Sequence, residues 1–60
     1  MTRKHYIAIA RLIDETRAHH NDDGANRALN AMTLGLAEIC KQDNARFDEA
    51  RFFNASGLVR

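Results

Sequence analysis

A six-residue run, HHNDDG from His19 to Gly24, constrains the fold of this chain more than any other feature. It holds no apolar side chain, and its residue types form turns. Before it, Tyr6, Ile9, Ile13 and Thr16 recur three and four residues apart, the spacing of one helical face. After it, Ala25, Leu29, Met32, Leu36 and Ile39 alternate steps of four and three. Proline is absent, so nothing breaks either stretch. The periodicity predicts one helix from about Arg3 to His20, capped by Thr2, and a second from Gly24 or Ala25 to Gln42. A turn this short makes them antiparallel neighbours. His19 and His20 then lie at the negative end of the first helix dipole, and Asp22 and Asp23 at the positive end of the second. Gly35 costs about 1 kcal/mol of helix propensity, and its place at the edge of the seam suits a close helix approach.

The segment FDEARFFNASGL, Phe47 to Leu58, specifies a third element at both ends. Asp48 has the chemistry of an N-cap, and Phe47 and Phe52 occupy the two positions of a hydrophobic staple. Gly57 fits the left-handed position that ends a helix, and Leu58 beyond it can close on Phe53. A two-turn helix over Glu49 to Ala55 follows. The expected fold is all-α, an antiparallel two-helix hairpin closed by a short C-terminal third helix in a single small domain over residues 1–60. Its expected core is Tyr6, Ile9, Leu12, Ile13, Leu29, Met32, Leu36, Ile39, Cys40, Phe47, Phe52, Phe53 and Leu58.

Size makes such a fold marginal. A 6.8 kDa chain buries roughly 5,900 Å² on folding. With about 60% of that apolar, burial contributes on the order of 90 kcal/mol. Ordering the chain opposes it by about 1.5 kcal/mol per residue, a similar sum. One cysteine cannot form an internal disulfide, and no Cys/His set reads as a structural zinc site. Idealised helix packing and self-association are the remaining sources of stability. Ile7 on the charged side of the first helix and Leu34 on the polar side of the second are the candidate interface residues, and a two-fold homodimer is the simplest assembly.

The hydrophobic fraction of 45% argues against disorder. Nine basic and eight acidic residues do not make a general nucleic-acid coat. The N-terminal stretch MTRKHYIAIARLIDETR meets charge after a few apolar residues and reads as neither a signal peptide nor a membrane span. The lone Cys40 suits a reducing cytoplasm.

RKHYIAIARLI near the start and DNARFDEARFFNASGL at the end resemble a family of short proteins from bacteriophages, prophages and bacterial genomes. The shared pattern is R-K-H-Y-x-x-I-A followed by D-N-x-x-F-D-x-x-R-F-x-x-A-x-G-L. The resemblance implies a phage or bacterial cytoplasmic setting and no particular chemistry. Ser56 stands where the pattern more often has cysteine. The antiparallel hairpin brings the two segments together, because the third helix starts beside the first helix's N-terminus. Arg3, Lys4, His5, Tyr6, Arg46, Arg51 and Asn54 therefore form a candidate binding site. Its guanidinium and ammonium donors suit a phosphate or a carboxylate. The alternative is a polar collar in which the arginines pair with Asp43, Asp48 or Glu49 and Tyr6 packs on Phe47 or Phe52.

Other constellations carry less. The His/Asp turn has metal-ligand types but no pre-organisation, so no metal and no cofactor is expected. His5 and Cys40 lack a third group to orient them. Asp48 and Glu49 are helix neighbours that do not face each other, so no catalytic residue is assigned. The functional expectation is a small, non-enzymatic protein-interaction module, self-associating and acting on a host or phage protein in takeover or counter-defence. The alternative is a binder of anions, nucleotides or nucleic acid at the basic end.

Overall fold

The computed structural model describes residues 2–58. Three helices run α1 (Arg3–His19), α2 (Asp23–Asp43) and α3 (Glu49–Ala55). The molecule measures 33 × 17 × 15 Å. Two hydrogen bonds set the hairpin register: the Tyr6 hydroxyl donates to Asp43 Oδ2 at 3.2 Å and Arg17 Nη1 donates to Asn30 Oδ1 at 2.8 Å. Helices α1 and α2 are thus antiparallel, and α3 packs against both.

The helix ends follow the local chemistry. Asp22 Oδ1 accepts from the Ala25 N–H at 2.7 Å and caps α2, which therefore begins at Asp23, a residue or two earlier than expected. Asp48 Oδ1 accepts from the Arg51 N–H at 3.1 Å, and the Phe47 and Phe52 rings sit 5.3 Å apart as the staple above it. At the far end the Leu58 N–H donates to Phe53 O and the Gly57 N–H to Asn54 O, with Gly57 at φ 79°. These bonds form the expected Schellman closure.

The core departs from the expected seam. Tyr6, Ile13, Leu29, Cys40, Phe52 and Phe53 are buried as expected, and Ile9, Leu36, Phe47 and Leu58 are partly buried. Leu12, Met32 and Ile39 are not core residues: they are 63%, 58% and 56% exposed. Ala10, Thr33, Ala37 and Ser56 take the tight positions instead. The reason is the third helix. Its arrival turns the buried face of α2 from the Leu29–Met32–Leu36–Ile39 line to the Leu29–Thr33–Ala37–Cys40 line, a rotation of about 75°. Small side chains let three helices close on one another, and the larger apolar ones are left on the side away from α3. Thr33 is buried without penalty because its hydroxyl donates to Leu29 O at 2.6 Å. Gly35 does not serve a close approach within the hairpin, since a Cβ there would meet nothing within 4 Å.

Arg17 ties the three helices together near the closed end. Its Nε donates to Ser56 O at 3.1 Å while Nη1 holds Asn30 on α2. Ser56 is fully buried, with its hydroxyl donating to Phe53 O at 3.1 Å.

Candidate functional site

The first turns of α1, the connection 44–48 and α3 enclose an open groove of about 450 Å³. Tyr6, Ile7, Ala10, Phe47, Phe52 and Ala55 line it with apolar surface. Arg3, Arg46 and Arg51 bring three guanidinium groups to it, with Asn44 and Asp48 beside them. Its volume falls within the range of ordinary ligand sites, about 300–1,000 Å³.

The floor is a row of aromatic contacts. The Tyr6 ring meets Phe47 edge-on at 4.7 Å, Phe47 meets Phe52 at 5.3 Å, and Phe52 meets Phe53 at 6.2 Å. Such edge and tilted contacts each add about 0.5–1.5 kcal/mol beyond area burial. The first of these rings belongs to α1 and the others to the C-terminal segment, so the two ends of the chain share one aromatic row.

The carboxylates of this region are largely engaged away from the arginines. Asp43 accepts the Tyr6 hydroxyl, and Glu49 pairs with Lys41 at 2.6 Å. Asp48 caps α3 and reaches Arg51 Nε only at 4.0 Å, with both side chains well exposed. Arg3 and Arg46 form no ion pair among the described residues. The polar collar expected from the sequence is thus half formed: Tyr6 packs on Phe47, but of the three arginines only Arg51 comes near a carboxylate among the described residues.

Of the sequence-derived binding set, the groove gathers Arg3, Tyr6, Arg46 and Arg51. Lys4, His5 and Asn54 are exposed outside its lining. His5 turns back to its own helix end, where Nδ1 accepts from the Thr2 N–H at 3.2 Å, while Cys40 is wholly buried. Ile7, expected at an interface, is 52% exposed and lines the groove, whereas Leu34 is 51% exposed and lies outside it. Asn44, Ala10 and Ala55 were not singled out by their chemistry. Only the packing of α3 onto the Arg3–Ile7–Ala10 side of α1 reveals them. Among the described residues no group of three or more His, Cys, Asp or Glu side chains is placed to hold a metal, and no helix is long and apolar enough to cross a membrane.

Two groups beneath this region titrate away from their ordinary values. Burial pushes the Tyr6 phenol up, and its hydrogen bond to the Asp43 carboxylate acts in the same direction. Burial also pushes the Cys40 thiol up, with Asp43 adding to it. In both cases the unfolded chain gives up its proton first as pH rises, so stability is full below the unfolded values and falls above them. The expected result is a urea midpoint that holds steady to about pH 8.5 and declines from about pH 9 upward. A midpoint that rises across that window would contradict the buried phenol and thiol.

Comparison with protein-family models, curated proteins and solved structures finds no match to this chain.

Proposed function

We propose that this protein is a small, non-enzymatic protein-interaction module that self-associates and docks a segment of another protein in its arginine-edged groove. The observation that carries this is the pairing of an apolar, aromatic floor with Arg3 and Arg46, which have no ion-pair partner among the described residues. A floor of Tyr6, Ile7, Phe47 and Phe52 accepts a bulky apolar side chain. Guanidinium groups around it accept carboxylates, each charge-assisted pair being stronger than a neutral one. The matching occupant is an acidic segment with an apolar anchor, such as one face of an amphipathic helix. A net charge of +1 disfavours a long polyanion as the partner.

The groove's chemistry supports the non-enzymatic part of this reading. Its polar groups are three arginines, one asparagine, a helix-capping aspartate and a tyrosine hydroxyl committed to Asp43. None of these forms a nucleophile with an adjacent base. The bacterial cytoplasmic setting, with a host or phage protein as partner, is supported by the resemblance of the two terminal segments to short phage and prophage proteins.

A fluorescein-labelled peptide rich in glutamate and leucine serves as the probe, read by polarisation at low salt. It should bind, and Arg46→Ala or Arg3→Ala should each weaken it by roughly tenfold, the loss of one charge-assisted contact. Binding of ATP or a single-stranded oligonucleotide but not the peptide would replace this reading with the anion-binding one. No binding of any probe, or peptide binding indifferent to both substitutions, would remove the groove as a site.

A further inference from the structure

Beyond the groove, the largest unexplained feature of the molecule is the side of the hairpin that faces away from α3. The register set by Tyr6–Asp43 and Arg17–Asn30 places Ile9 level with Ile39, Leu12 with Leu36, and Thr16 with Met32. Five of these side chains are apolar, and the sixth, Thr16, turns its hydroxyl back to Leu12 O at 2.8 Å, so together they make one uncharged, largely apolar band across both helices. Leu12, Met32 and Ile39 are each more than half exposed on it, and Ile9 and Leu36 are only partly buried. Around the wheel, Ile9, Leu12 and Thr16 lie about 100–160° from Ala10 and Asp14 on the α3-facing side of α1, so the outer edge of the band at Leu12 turns away from α3.

The flanking pattern is that of a helix seam. His5, Ile9, Leu12, Thr16 and His19 on α1, and Ala25, Ala28, Met32, Gly35, Ile39 and Gln42 on α2, run in steps of four and three. Neither line contains Asp, Glu, Lys or Arg, in a chain that is 28% charged. This is the spacing that interdigitates with another helix pair. Gly35 lies in the middle of the band, where nothing in its own chain approaches it. A mid-helix glycine there is unaccounted for within one chain and is what a close-packed neighbouring helix requires.

Surface area points the same way. A compact monomer of 6.8 kDa exposes about 3,950 Å², whereas this chain exposes 4537 Å². The excess, about 600 Å² over the whole chain, leaves room for an interface of the roughly 800 Å² that each partner contributes to a stable complex.

We infer that the band is covered by the same band of a second copy, two hairpins forming a two-fold, four-helix bundle. The surface is self-complementary because it is apolar and uncharged, as an isologous interface needs. The α3 elements and both arginine grooves then face outward, so the dimer presents two docking sites. This rests on the self-associating part of the proposed function and replaces Ile7 and Leu34 with Leu12, Met32 and Ile39 as the contact residues.

Light scattering on gel-filtered full-length protein tests it, with helicity checked by circular dichroism on the same fractions. The wild type should show twice the single-chain mass. Leu12→Glu and Ile39→Glu should show the single-chain mass, and Ile7→Glu and Leu34→Glu should leave it doubled. A doubled mass that Ile7→Glu or Leu34→Glu breaks, and Leu12→Glu does not, overturns the assigned face while sparing self-association. A wild type that stays at single-chain mass to about 100 µM overturns both. If the glutamate variants lose their helices along with their doubled mass, Leu12→Ser decides. Its dissociation constant should rise at least tenfold, and an unchanged value overturns the inference.

Discussion

Phe52→Ala is expected to leave the protein largely unfolded at room temperature. Phe52 is 4% exposed, touches the Phe47 and Phe53 rings and helps floor the groove. Truncating a buried phenylalanine costs about 3–5 kcal/mol through lost transfer energy and the cavity left behind. A chain of this length has little more than that to lose. The collapse should be visible as loss of helical circular dichroism, and as a urea midpoint at or near zero at fixed protein concentration. A Phe52→Ala protein that keeps its helices and only loses the peptide probe would mean that the ring belongs to a binding surface rather than to the core.

The second large effect is at Gly57. Its φ of 79° lies in the left-handed region, which costs a residue with a side chain about 1–2 kcal/mol. A methyl group there would also stand 2.8 Å from Asp14 Oδ1 and 3.1 Å from Arg17 Nε. Arg17 cannot yield without loosening its bond to Ser56 O, the tie between α1 and the end of α3. Gly57→Ala should therefore destabilise by about 2–3 kcal/mol, read as a lowered urea midpoint with an unchanged slope. A loss below about 0.5 kcal/mol would show that the Schellman closure bears little of the packing of α3.

Local chemistry made the helices legible in the sequence. The turn residues, the capping aspartates, the staple and the closing glycine act over a few positions, and they appear where their residue types imply, with the turn shortened to 20–22. Meeting of the start of α1 with the segment that opens α3 was legible too, because a short turn leaves two helices no other direction. What could not be read was rotation about the helix axes. Leu12, Met32 and Ile39 have the size and hydrophobicity of core residues, and the preference for Ala10, Thr33 and Ala37 arises only when three helices compete for the same space. Arg17 was hidden for the same reason: its partners are Asn30 on α2 and Ser56 just past the end of α3. The groove followed suit. Its arginines were apparent as charge, but its floor depends on how α3 lies against the Ile7–Ala10 side of α1.

The central claim is a division of labour between two faces, one for a second copy and one for a partner. Amide chemical shifts of ¹⁵N-labelled protein, recorded on dilution from about 500 to about 5 µM, test it most directly. The shifts should move along Ile9, Leu12, Thr16, Met32, Leu36 and Ile39 and stay fixed around Arg3, Arg46 and Arg51. Changes centred on Ile7 and the arginines, with the hairpin band unmoved, would contradict it.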